Sequence, residues 1–101
     1  MQNLLITFGC SWTYGTGVGY TPNMSKENYL EVAMDKNICD SKSFRGLLSK
    51  KYNFHNINFA EGGSSNQRQF RYAKTFFSDK LAENILYYKS KFRKIIVLWE
   101  I

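Results

Sequence analysis

The apolar positions of this chain fall into two kinds of pattern, and their order along the sequence predicts a fold class. Leu4 to Phe8 are mostly apolar, contain no Gly or Pro and end at Gly9, which reads as a short buried strand. Ser43 to Tyr52 follows a helical period, with Phe44, Leu47, Leu48 and Tyr52 on one face and Asp40, Ser41 or Ser43 available to cap it. Gly46 inside that helix costs about 1 kcal/mol relative to Ala and is expected to permit close packing on a sheet. Phe54 to Ala60 reads as a second strand, with Phe54, Asn56 and Asn58 on one face and His55, Ile57 and Phe59 on the other.

The run Gly62-Gly63-Ser64-Ser65-Asn66 then breaks the strand and caps a new helix. From Phe70 an apolar stripe continues through Ala73, Phe77, Leu81, Ile85, Tyr88 and Phe92, as one helix or as two with a break near Ser78-Asp79. Ile95 to Trp99 is a continuous apolar run of the kind buried on both faces of a parallel sheet. The order strand, helix, strand, helix, strand predicts an α/β fold with a parallel sheet and helices on its faces.

Residues 16–42 interrupt this rhythm. The glycine-rich stretch Gly15 to Gly19 leads to Pro22 and Asn23, and a short helix is expected from about Ser25 to Met34, where Tyr29/Ala33 and Leu30/Met34 lie at i,i+4 spacing. The segment reads as an insertion: a lid or substrate wall, or a surface excursion that packs down. Gly15 and Gly17 begin a dinucleotide fingerprint, but Tyr20 occupies the place of its third glycine, so no nucleotide cofactor is expected.

Composition narrows the classes further. At 101 residues the chain is one domain, and 44% hydrophobic with 17% aromatic residues excludes a disordered chain. No apolar run approaches the ~20 residues of a membrane span, and the N-terminus lacks the basic region of a signal peptide. Cys10 and Cys39 have neither the density of a disulfide scaffold nor the pairing of a zinc site, so no metal is expected and the cytoplasm is the simplest compartment. The net charge of +6 comes from fourteen basic residues spread along the chain, which reads as surface solvation rather than a nucleic-acid patch.

The candidate chemistry lies at the strand ends. Ser11 follows the first strand directly, and in open α/β sheets ligands bind at the carboxyl ends of strands. Gly63, after the second strand, lacks a side chain, so its N–H can approach a substrate closely. A serine and pre-aimed N–H donors are the ingredients of acyl transfer. Trp12 and Tyr14 flank the serine as a pocket wall or as core. His55 is the only histidine and lies toward the far end of its strand from Ser11, so it reads as structural or surface. Glu61 borders the region as a solvated carboxylate, and Cys10 has no histidine partner to activate it as a nucleophile.

Gly9-Cys10-Ser11 with Gly15 resembles the first block of the SGNH (GDSL-type) hydrolases, and Asn58-x-Ala60-x-x-Gly63-x-Ser65 resembles their second. The strand Ile95 to Trp99 is similar to the lead-in to their third block. The resemblance implies a three-layer α/β/α, flavodoxin-like domain, of which residues 1–101 supply the N-terminal part with about three strands. It implies Ser11 as nucleophile and the N–H groups of Ser11 and Gly63 as oxyanion donors; Trp12, Tyr14 and Asn66 are the candidate substrate-binding residues beside them. The implied substrate is a small-molecule or carbohydrate ester carrying an acyl or acetyl group. A non-catalytic binding module that keeps the fold is the alternative.

Cys10 stands where the family has Asp, and the Asp and His of the family's last block have no counterpart here. Little activity is therefore expected of these residues as they stand. The strand from Ile95 to Ile101, left as an apolar edge, is expected to drive self-association.

Overall fold

A computed structural model describes every residue except Met34 and Ile101. Three strands, β1 (Gln2–Phe8), β2 (Phe54–Asn58) and β3 (Phe92–Trp99), form an all-parallel sheet in the order β2-β1-β3. The most completely buried strand thus takes the centre. Leu4, Leu5, Ile6 and Phe8 are buried almost completely, each worth about 1.5–3 kcal/mol relative to exposure. The α/β class and the parallel sheet are those read from the alternation of strand and helix patterns.

One face of the sheet carries the apolar core. Leu4, Ile6 and Phe8 pack there with Ala73, Phe76 and Phe92, and Ile57, Phe59, Ile95 and Trp99 extend the layer. Phe8 is its hub, stacked on Phe59 at 5.3 Å and tilted against Trp99 at 5.2 Å between ring centroids. The covering helices are α5 (Asn66–Thr75), capped by the Ser65 hydroxyl, and α6 (Ile85–Lys91). Between them Phe76–Leu81 forms a π-helical segment. The wider turn brings both Phe76 and Phe77 to the core, whereas Phe70 and Ile85, expected in the stripe, are exposed.

The opposite face is polar where it meets the helices. Thr7 Oγ1 donates to Asn58 Oδ1 at 2.9 Å, and Asn56 Nδ2 donates to Leu5 O at 3.0 Å. Above them sit α3 (Lys36–Lys42) and α4 (Phe44–Tyr52). The α4 helix has the expected limits and its Ser43 cap, but it is rotated from the expected face. Phe44, Leu47 and Tyr52 are exposed, and Arg45 is turned inward. Gly46 permits close packing, though against α3 rather than the sheet: a Cβ there would collide with Asp40 O and Ser41.

Within residues 16–42 the structure has two helices where the sequence suggested one, α2 (Lys26–Val32) and α3. The last expected residue of the first, Met34, and its pairing with Leu30 lie outside the described residues. Asp35 caps α3 by accepting from Ile38 N–H at 3.0 Å. The segment is tied down by Gly17 N–H to Ala33 O at 3.0 Å and by the buried Cys39 thiol, which donates to Gly15 O at 3.3 Å. Burial pushes that thiol's pKa up.

Two further boundaries differ. The second strand's ladder ends at Asn58, because the chain beyond turns into the glycine loop. The third begins at Phe92, taking in Arg93 and Lys94 as exposed edge positions. Its run is not buried on both faces: Ile96 and Val97 are 37% and 47% exposed. The outer edge of β3 pairs with no strand among the described residues, and Ile101 lies outside them.

Candidate active site

Three strand ends meet at one place. Phe59 N–H donates to Thr7 O at 2.9 Å and Glu61 N–H to Gly9 O at 3.3 Å, which holds the end of β2 beside the end of β1. Glu100 N–H donates to Phe8 O at 3.0 Å and does the same for β3. At this junction β1 gives way to α1 (Ser11–Tyr14), a single helical turn that starts with Ser11. Gly15 closes the turn in the left-handed region at φ 97°, where a Cβ would stand 2.6 Å from Ser43 Cβ.

The polar partners of this turn come from three directions. Arg45, 2% exposed, reaches its far end from α4. Its guanidinium donates to Thr13 O at 2.9 Å and Tyr14 O at 3.0 Å, carbonyls at the end of a helix whose acceptors would otherwise be orphaned. The same group donates to Asn56 Oδ1 at 3.1 Å and pairs with Asp40 Oδ1 at 2.8 Å.

Gln69, 1% exposed, arrives from α5. Its Oε1 accepts from Gly9 N–H at 3.0 Å, and its Nε2 donates to Phe59 O and Ser64 Oγ, both at 2.9 Å. One amide therefore joins the turn before Ser11 to the loop that carries Gly63.

Glu100 is the third partner. Its Oε1 accepts from Cys10 N–H at 3.2 Å, Cys10 Sγ at 3.4 Å, Thr13 N–H at 3.2 Å and Thr13 Oγ1 at 3.0 Å. Burial works against its charge, but these bonds, led by the Cys10 N–H, outweigh it and hold the carboxyl below the ordinary range. Asp40 is shifted in the same direction, its burial outweighed by hydrogen bonds from Lys36 and Arg45.

The sign of the stability effect follows. A carboxylate with a lowered folded pKa adds stability above its unfolded pKa, and that stability is lost as pH falls through the folded value. The melting temperature is expected to decline on the acid side of the ordinary carboxylate range. A Glu100→Gln variant should show a flatter decline in the same scan, and an unchanged slope would refute the assignment.

Ser11 and Trp12 line one cleft of about 240 Å³ with Gly15 to Val18. Trp12 is 80% exposed, so it is a cleft wall and not a core residue. Tyr14 belongs to the neighbouring cleft, with Asn58, Ala60, Glu61 and Tyr72, and Arg45 lies 5.8 Å from its ring centroid. Asn66 lies apart, in a shallow apolar depression with Phe70, Arg71 and Trp99. The sequence left Trp12 and Tyr14 as pocket wall or core; the structure puts Trp12 with Ser11 in one cleft and Tyr14 in another.

Gly63 has φ 75° and only open space around the position of a Cβ. Neither its N–H nor the N–H and Oγ of Ser11 has a hydrogen-bond partner among the described residues. His55 pairs in register with Leu4 near the start of β1 and stacks on Phe92 at 5.6 Å, at the opposite end of the sheet from Ser11. Among the described residues no cluster of His, Cys, Asp and Glu could hold a metal ion, and no helix is long and apolar enough to cross a membrane.

Nothing in the sequence marks Arg45 or Gln69 as site residues, and Glu100 reads there only as a carboxylate at the end of its strand, not as a catalytic base. Only Glu100 left a local signal, an acidic residue at the carboxyl end of an apolar run. Comparison with protein-family models, with curated proteins and with solved structures gave no match.

Proposed function

We propose that this chain forms the nucleophile-bearing part of a serine ester hydrolase of the SGNH type. The carrying observation is the Gln69 amide, which couples the turn holding Ser11 to the loop holding Gly63. In this reading Ser11 Oγ attacks the carbonyl carbon of an acyl or acetyl ester. The negative charge that develops on the carbonyl oxygen is taken up by the N–H groups of Ser11 and Gly63, which have no partner among the described residues. The exposed indole of Trp12 offers a flat face to the substrate beside the reacting bond, and a carbohydrate ester fits such a face.

The reaction also needs a base to take the Ser11 proton, and a histidine at the far end of the sheet does not reach it. Ser11 alone is then a weak nucleophile, and added imidazole should substitute for the base. A fluorophosphonate probe is expected to label the wild-type chain slowly, faster as imidazole is raised, and to leave Ser11→Ala at background. A wild-type chain that stays unlabelled at every imidazole concentration would sink the hydrolase reading. The open Ser11 hydroxyl would then favour the second reading, a binding module that keeps the fold without the chemistry.

A further inference from the structure

The Cys10–Thr13 turn raises a geometric problem that the proposed chemistry does not solve by itself. A four-residue helix has too few internal hydrogen bonds to hold its own shape, yet a nucleophile must be held within a fraction of an ångström to be useful. Four donors at the start of this turn converge instead on one atom, Glu100 Oε1, which takes two backbone N–H groups, a hydroxyl and a thiol at 3.0–3.4 Å. Two of these come from the residue before Ser11 and two from the second residue after it. The carboxylate therefore brackets the serine along the chain.

A second feature fits this arrangement. Gly9 adopts φ 153°, and a Cβ there would stand 2.6 Å from Thr13 Oγ1 and 2.9 Å from both Glu100 Cβ and Oε1. The absence of a side chain at position 9 is what leaves room for the glutamate over the turn. Glu100 is itself fixed by its backbone, through Glu100 N–H to Phe8 O at 3.0 Å. Among the described residues no cation pairs with it, so its charge is balanced by the turn's own donors.

We propose that Glu100 is a positioning residue, a carboxylate delivered from the end of β3 that fixes the conformation of the Cys10–Thr13 turn and so aims Ser11. The importance of this role for Ser11 rests on the hydrolase reading, but the hold on the turn does not. Glu100 touches neither Ser11 Oγ nor the positions assigned to the oxyanion donors, so its influence runs through the backbone of residues 10 and 13.

The test uses two readouts on the full chain. Amide hydrogen exchange, resolved residue by residue by NMR, reports on the turn. Imidazole-assisted labelling by the fluorophosphonate probe reports on Ser11. In Glu100→Gln, exchange protection at Cys10 and Thr13 is expected to fall while protection at Leu4 to Ile6 stays at wild-type level. Labelling should fall about tenfold, the scale expected when a reacting group is misplaced by less than an ångström.

Thr13→Val, which removes one of the four donors and keeps the N–H, should act in the same direction with a smaller effect. Restoring the carboxylate as Glu100→Asp should recover part of the protection. Uniform loss of protection across β1 and the turn, or unchanged protection at Cys10 and Thr13, would overturn the proposal. If the wild type is not labelled at all, the hydrolase reading fails, and the exchange pattern alone still decides whether Glu100 holds the turn.

Discussion

Replacing Arg45 with alanine is expected to destabilise the fold by about 2–4 kcal/mol, because it strips a common donor from several acceptors, at about 1–3 kcal/mol for each buried one left unmet. The size of the effect comes from what would be left behind. Thr13 O, Tyr14 O and Asn56 Oδ1 would lose this donor together, and Asp40 would lose its buried partner. Lys36, the other cation on Asp40, has a side chain that is 80% exposed, and an exposed pair of that kind is worth about 0–1 kcal/mol.

Arg45→Lys should recover only part of the loss, because an ammonium cannot present the planar fork that reaches four acceptors at once. Urea unfolding of the wild type and both variants checks this. A loss below about 1 kcal/mol for Arg45→Ala would place Arg45 among ordinary surface residues.

Gln69→Leu is expected to cost about 2–4 kcal/mol and to impair Ser11 reactivity as well. Leucine keeps roughly the volume but leaves Gly9 N–H and Phe59 O without their partners, at about 1–3 kcal/mol for each buried polar group left unmet. The functional loss should exceed what the stability loss explains, because the same amide ties the Ser11 turn to the Gly63 loop. Gln69→Glu separates the two contributions. Its carboxylate still accepts from Gly9 N–H but cannot donate to Phe59 O or Ser64 Oγ. Urea unfolding together with fluorophosphonate labelling measures both effects. Labelling that tracks the folded fraction alone would assign Gln69 to stability and to nothing more.

These two residues also mark where the sequence stops being legible. The strand ends could be read because apolar runs stopped by glycine announce themselves locally: Leu4 to Phe8 before Gly9, and the Gly62 to Asn66 run after β2. The core of β1 followed from its apolar run and the faces of β2 from alternation, and Asn56 and Asn58 do face away from Ile57 and Phe59. Arg45, Gln69 and Glu100 are polar, and polar residues are exposed by default. Their placement depends on partners remote in sequence as well as near ones, such as Tyr14 O, 31 positions from Arg45, Gly9 N–H, 60 from Gln69, and Cys10 N–H, 90 from Glu100.

The same blindness explains α4. Its apolar residues define a face by period, but the inward side is set by Arg45 meeting the end of α1 and by Gly46 meeting α3. The α3 helix was missed because Lys36 to Lys42 contain few apolar residues. Its cap at Asp35 was a readable signal that the apolar pattern did not support.

The thiol at position 10 has a consequence for how this chain can vary. It donates to Glu100 and carries no negative charge while doing so. An aspartate there, as in the GDSL-type pattern, would set a second carboxylate against the first, and two anions sharing one set of donors cannot both stay ionised. Cys10→Asp is therefore expected to be penalised while Glu100 is present, and the penalty should shrink in a Glu100→Gln background. What is permitted at position 10, near one end of the chain, is thus conditional on the residue at position 100, near the other.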